Sequence, residues 1–285
     1  MLFPRWQPMG KRKYSLDEKR IASFIKEGRG QGEGKDYLPW HRVSDVPSSG
    51  RVHRVFCPKT GRVHQLLSDN EYYALLLFWW DDTVIDIREQ FPLLDRRETL
   101  EIAALCGVKH PTDPISGALW VITTDFVVTV STPYGVETIA VAVKPIDKLS
   151  HVRTLEKLEI ERRYWERRDV KWSILTDKQL KTIFTQNLAW ILDKAPQTIF
   201  LDARGFDIDA AVLRELVIEK EVRPQAPIQL VCSIVDHKLN YRAGTALAAL
   251  RRLLSAKLIR ADLHVENISE LPVINFSIPG SGALQ

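Results

Sequence analysis

The chain has 285 residues and a mass of 32.7 kDa, enough for two domains, and its 45% apolar and 27% charged residues exclude a disordered or fibrous protein. Its 40 Lys and Arg against 36 Asp and Glu leave a net charge of +4, a bias too small to establish nucleic-acid binding by itself. Cys57, Cys106 and Cys232 lie far apart and form neither a CxxC zinc site nor a disulfide framework, while the lack of a signal-type N-terminus or a membrane-length apolar run predicts a cytoplasmic protein with no membrane partner.

Ser15 to Glu18 has the S-x-x-E form of a capping box and predicts a short helix with Ile21, Phe24 and Ile25 on one face, stopped near Gly28. From there to about Lys59 the chain is rich in Pro, Gly, Ser and basic residues, including Pro47-Ser-Ser-Gly50, and predicts loops and short strands. Ser68 caps a helix beginning at Asp69, with Leu75, Leu76 and Trp79 toward a buried side and Glu71 in its first turn. Val84 to Phe91 alternates apolar and polar residues as a strand ended by Pro92, and Glu98 to Leu105 reads as a helix stopped by Gly107. Leu119 to Val130 is dense in β-branched and aromatic residues; across the turn Ser-Thr-Pro-Tyr-Gly135, Thr138 to Val143 is its hairpin partner. A charged amphipathic helix over 154–168 and a strand at Lys171 to Leu175 follow.

Beyond Thr176 the pattern turns helical, at Lys178 to Leu192, Asp209 to Glu221, Ile228 to Lys238 and Gly244 to Leu258, before β-like stretches between Asp262 and Ser277. Helices followed by a short hairpin predict a winged-helix-like module. The expected organisation is an α/β domain over 1–176, a mostly α winged-helix-like domain over 177–278 and a flexible tail over 279–285.

Charge is unevenly spread. Residues 1–60 hold 13 basic and 6 acidic side chains, whereas 61–146 hold 6 basic and 12 acidic. That pattern suits carboxylates gathered around cations beside a basic surface for a polyanion, and it also suits ordinary solvated surface. The run Gly28-Arg-Gly-Gln-Gly-Glu-Gly-Lys35 is not a nucleotide P-loop: the first Gly of the GxxxxGK frame is replaced by Arg29, and Asp36 stands where Ser or Thr belongs. It reads either as a helix stop with a flexible loop or as backbone amides, with Arg29 and Lys35, approaching a phosphate backbone.

Asp125 interrupts an apolar strand and Lys144 ends the next one. Burying either charge alone is costly, so the two form either a structural ion pair or part of a metal site. Their spacing, 19 residues across a strand-turn-strand, resembles the core of PD-(D/E)xK nucleases, in which carboxylates hold Mg²⁺ and a lysine adjoins the attacking water.

Longer words carry a more specific resemblance: IKEGRGQGEGKDYLPW (25–40), VPSSGRVHR (46–54), KTGRVHQLLSDNE (59–71), DIREQFPLL (86–94), VKHP (108–111), TTDF (123–126), VKP (143–145) and RTLEKLEIERRYW (153–165). Through these, residues 20–177 strongly resemble the TnsA family, the endonuclease subunits of heteromeric cut-and-paste bacterial transposases. The resemblance implies a restriction-endonuclease-like N-terminal domain, a mixed sheet flanked by helices. It implies Mg²⁺-dependent hydrolysis (Mn²⁺ substituting) at the 5′ ends of the transposon, on the strand not joined to target. It identifies Glu71, Asp125 and Lys144 as the catalytic triad. Expected metal ligands are Glu71, Asp125, the backbone carbonyl of Val143 and, through water, Glu161. The implied partners are transposon-end DNA, a DDE-class transposase (TnsB) and an ATP-dependent regulator (TnsC) contacted through the C-terminal half, in a bacterial cytoplasm and on the nucleoid when assembled.

DNA backbone contact is expected from the basic arm, through Arg29, Lys35, Arg51 and Arg54. Gln90 matches a family position and receives no catalytic role. Position 142 is Ala where such nucleases usually place Asp, Glu or Gln, which removes one oxygen ligand. A catalytically weak subunit bridging DNA, transposase and regulator is therefore the competing expectation.

Overall fold

The structure, a computed structural model, describes residues 16–45, 50–192 and 207–278. Ser15, most of the 47–50 loop and the 279–285 tail lie outside the described residues. Helix α1 (Glu18–Lys26) is capped by Asp17, whose carboxylate accepts from the Arg20 amide at 2.8 Å. A two-stranded hairpin, β1 (His53–Cys57) and β2 (Arg62–Leu66), leads into α2 (Asp69–Trp80). The main sheet follows: β3 (Val84–Pro92), helix α3 (Arg96–Leu105), β4 (Thr123–Thr132), β5 (Gly135–Lys144), helix α4 (Val152–Glu166) and β6 (Lys171–Thr176).

The sheet order is β3-β4-β5-β6, with the first three strands antiparallel and β6 parallel to β5. A parallel neighbour needs a crossover, which α4 provides. Side chains alternate between two cores. Phe126, Val128, Val141 and Val143 face α2, while Val127 and Ala140 face α3 and α4 with Ile160 and Trp165. The strand expected from Leu119 begins at Thr123; Leu119 forms only an isolated bridge to Thr112, and the Ile122 carbonyl accepts from Leu93 in a loop.

The remaining helices are α5 (Asp177–Leu180), α6 (Ile183–Leu192), α7 (Ile208–Val222), α8 (Ile228–Lys238) and α9 (Thr245–Ser255). The single helix expected over 178–192 is two, because the Thr182 hydroxyl accepts from the Thr185 amide at 3.2 Å and starts α6 anew. The β-like 262–277 stretch becomes two short 3-10 turns and isolated bridges, so this region is mostly helical. The physical reason lies at Pro272, which cannot donate to a ladder; Val273 and Ile274 instead donate to the Ala226 and Pro224 carbonyls. Helix α2, apolar around nearly its whole circumference, is buried between the sheet and α6, and one apolar cluster runs from the α2 side of the sheet into α6–α9. Among the described residues no helix is long and apolar enough to cross a membrane.

The glycine run after α1 is a packing feature. Gly30 holds φ +79°, and a Cβ there meets Pro92 Cγ at 2.1 Å, so only glycine lets the loop close on the end of β3. Gly107 has a similar φ of +65° but nothing within 4 Å. Gly107→Ala should therefore cost about 1–2 kcal/mol, the left-handed penalty alone. Gly30→Ala should cost clearly more, as read from the two urea midpoints; equal losses would mean the Pro92 contact does not constrain the loop.

Candidate active site

The site forms where β4 and β5 part. Their ladder ends at the Phe126–Val141 pair, and beyond it the Val143 amide donates to Asp125 Oδ2 at 2.6 Å instead of to a backbone carbonyl. The same oxygen accepts from Lys144 Nζ at 2.5 Å, and Nζ also donates to the Val143 carbonyl at 3.1 Å. Asp125, Ala142 and Lys144 share the sheet face that carries Val127 and Ala140, so the ion pair looks toward α4. Ala142 adds only a buried methyl there. Asp125 Oδ1 takes no hydrogen bond among the described residues.

Glu161 comes from the sheet-facing side of α4 and accepts from Trp172 Nε1 at 3.1 Å. Burial, reinforced by the negative charge of Asp125, pushes its carboxyl up to about 7. Glu71 enters from the first turn of α2, where Ser68 caps the helix and the Leu67 amide donates to Oε2 at 2.9 Å. It too is pushed up to about 7, first by burial and then by Asp125. For Lys144 burial works against the charged form, but Asp125, Glu161 and Glu71 outweigh it and hold the ammonium above its ordinary value.

Asp125, Lys144 and Glu161 line one cleft of about 670 Å³; Glu71 is buried and is not among the residues that line it. Gln90 joins the two, lining the cleft while its amide Nε2 donates to Glu71 Oε2 at 3.1 Å. The β3–β4 register puts Gln90 across from Asp125, and its φ is +50°, a left-handed conformation inside a strand. This reverses the side-chain alternation: Ile87 packs on the α2 side and Phe91 on the α4 side, although both are odd-numbered. Gln90 was expected to have no catalytic role, and its match to a family position within DIREQFP was the signal in the sequence.

The neighbouring Glu89 shows the opposite electrostatics. It is fully buried but receives Arg62 Nη1 and Nη2 at 2.8 and 2.5 Å, His64 Nδ1 at 2.8 Å and the Gln65 amide at 2.9 Å. Burial raises its carboxyl, yet His64 and Arg62 together bring it down to about 2. It is a satisfied structural charge.

Of the residues expected at a DNA backbone, Arg29 is taken up internally. It is 4% exposed, pairs with Glu27 and Asp45, donates to the Trp40 carbonyl and stacks 3.6 Å over Phe24. Lys35, Arg51 and Arg54 are exposed, Arg51 being tied to Asp69 at 3.0 Å. None of the four lines the cleft.

The donor set suits a hard cation. Two buried carboxyls that ionise only near neutrality, with a free Asp125 oxygen beside them, are the chemistry that a divalent ion stabilises. Among the described residues no three His, Cys, Asp or Glu side chains converge as a complete cage. Mg²⁺ needs none, since it keeps several waters and takes one or two carboxylates.

Comparison with known proteins follows the same residues. Residues 81–177 match the family described as TnsA-like endonuclease N terminal, a span containing Gln90, Asp125, Lys144 and Glu161. The transposon Tn7 transposition protein TnsA of Escherichia coli is 41% identical over 257 residues, covering 90% of this chain and 90% of that protein.

The raised acids carry a stability consequence. As pH climbs past 4.5 the unfolded chain loses the Glu161 proton that the folded chain keeps to about 7, so folding weakens across that window and levels off above it. Glu161→Gln, which can still accept from Trp172, should therefore stabilise the cation-free protein by roughly 1–3 kcal/mol at pH 8 and by little at pH 4.5. Equal melting shifts at the two pH values would show that the carboxyl is not perturbed.

Proposed function

Because the chain belongs to the TnsA family of transposition endonucleases, we propose that it cuts the 5′ ends of a transposon, on the strand not joined to target, with Glu71, Asp125 and Lys144 as its catalytic set and Mg²⁺ as its cofactor. The observation that carries this reading is the Asp125–Lys144 pair at 2.5 Å, placed at the parting of β4 and β5 and open to the cleft that Glu161 also lines. Ion pairs that serve only stability have no need of two further carboxyls held protonated beside them.

Asp125, through Oδ1, and Glu71 are the carboxylates that would hold the ion, with the Val143 carbonyl and Glu161 as further oxygens. When bound, the ion supplies Lewis acidity, neutralising phosphate charge and acidifying water. Lys144 is held cationic, so its part is to orient the attacking water and stabilise negative charge building on the phosphate rather than to take a proton. Glu161 lines the cleft beside Lys144, where its carboxylate would accept a hydrogen bond from a water of the ion. Gln90 acts one step back, fixing the Glu71 carboxylate through its amide.

The relative is named as a transposition protein of Tn7. By the same kinship this chain works on transposon-end DNA with a DDE-class transposase, TnsB, and an ATP-dependent regulator, TnsC, the latter through the helices that follow Thr176. Ala142 favours one second reading, a weakly catalytic bridging subunit, and the same assay separates the two.

With its partner transposase, labelled transposon ends and Mg²⁺ or Mn²⁺, the wild-type chain should release 5′-end products, and Asp125→Ala should reduce them at least a hundredfold. Identical products from both would sink the assignment, and no products from either would favour the bridging reading. Gln90→Gly keeps the left-handed backbone and removes the donor to Glu71. It should slow cutting by about 10-fold with unchanged DNA affinity, the loss expected for an outer partner of a metal ligand.

A further inference from the structure

The cleft that holds Asp125 and Glu161 is lined by five cationic side chains, Lys109, Lys144, Lys148, Arg153 and Lys157, against those two carboxylates. Lys144 is answered by Asp125. The others are not balanced in the same way. Among the described residues Lys148 pairs only with Asp147, at 3.8 Å, and both are exposed. Arg153 reaches Glu156 at 2.6 Å and the Lys109 carbonyl at 2.5 Å, a bond that ties the two cleft walls together. Among the described residues Lys109 and Lys157 have no carboxylate partner.

Helix α4 makes the contrast on a single element. On its outer side Arg162 pairs with Glu159 and Glu166, Arg163 pairs with Glu159, and just past its end Arg168 pairs with Glu98. On the cleft side Arg153, Lys157 and Glu161 follow one another at four-residue steps, stacking along one face about 6 Å apart. That step is comparable with the distance between successive phosphates of a nucleic-acid strand. Lys157 is exposed as a residue, but partial enclosure of its ammonium, with the like charges of Arg153 and Lys144 nearby, holds it below its ordinary value. Like charges gathered without counter-ions weaken a fold, and a sequence that pairs its outer cations so thoroughly leaves these for an anion from outside.

We propose that this wall, centred on Lys157 with Lys148, Arg153 and Lys109 around it, seats the phosphodiester backbone of the DNA strand beside the bond to be cut. The wall rests on the nuclease reading of the same cleft, and it moves the expected DNA contact from the N-terminal arm to α4 and the loops at 109 and 148. Phosphates held there lie one helical turn from Glu161, so the strand is delivered to the acidic floor with its charge already neutralised.

The test is DNA binding by the full chain in EDTA, read by fluorescence anisotropy on a short labelled duplex over a series of salt concentrations. Each lost phosphate contact should flatten the log–log salt slope by about 0.9, so Lys148→Ala with Lys157→Ala should flatten it by about 1.8. Replacing both with Arg should restore it, and Lys35→Ala with Arg54→Ala should leave it unchanged. Lys148 and Lys157 are exposed and removing them relieves like-charge repulsion, so the double variant should melt no lower than the wild type. An unchanged slope in the double variant, or a wild type with no salt-dependent binding, overturns the wall. Because no metal or cutting is involved, a chain that binds through Lys157 yet never cuts removes the nuclease reading and leaves the wall standing. A chain that cuts normally with an unchanged slope does the reverse.

Discussion

Of the three buried carboxyl groups on Glu71, Asp125 and Glu161, only that of Asp125 is directly paired with an ammonium among the described residues, that of Lys144. A low-dielectric interior does not tolerate that imbalance as three full charges, so two of the acids stay protonated to about pH 7. Much of the surrounding architecture keeps them from escaping to water. The sheet ends its β4–β5 ladder early so that Asp125 can take the Val143 amide, the α2 N-terminus fixes Glu71 through Leu67 and Ser68, and Trp172 holds Glu161. The imbalance is stable only because an apolar sandwich on both sides of the sheet supplies the burial energy.

Gln90 and Glu89 show how close the satisfied and unsatisfied cases lie in sequence. Glu89 points to the β2 side and is answered by Arg62, His64 and a backbone amide, so its charge is permanent and structural. One residue later the chain turns left-handed at Gln90, reverses its alternation and sends an amide toward Glu71 and the cleft. Backbone strain of this kind, of order 1–3 kcal/mol, persists where the surroundings over-determine it. Here the determinants are the Arg62–Glu89 lock on one side, the Trp40 amide donating to the Gln90 carbonyl and Gly30 packed on Pro92 just beyond.

The central hairpin and its two charges were legible because β-branched runs and a Pro-Tyr-Gly turn speak locally, and a charged residue inside such a run is conspicuous. The helix break at Thr182 and the loss of β structure after Pro272 were not, since each depends on where a hydroxyl or an amide finds its partner in three dimensions. The burial of Arg29 was hidden for the same reason: its neighbours in sequence are glycines, but its neighbours in space are Asp45, Trp40 and Phe24. Segment charge concealed the cleft wall altogether. Lys109 belongs to a stretch with an acidic excess, and Lys148, Arg153 and Lys157 to one that is nearly balanced, so no window of sequence reports the cations that the fold brings together.

Helix α2 ties the halves of the chain more closely than the change of pattern at Thr176 suggests. Its first turn carries Glu71, its middle is buried between sheet and α6, and at its end Lys257 donates to the Trp80 carbonyl at 2.9 Å and pairs with Asp82 at 2.5 Å. Removing the residues after Thr176 would uncover an apolar helix face and loosen the element that positions a candidate catalytic acid, so lost activity in such a fragment would not distinguish a missing partner from a disturbed site. Partner binding by the C-terminal helices is therefore better separated from catalysis by surface substitutions in the full chain, at positions outside the apolar cluster that α2 shares with α6–α9.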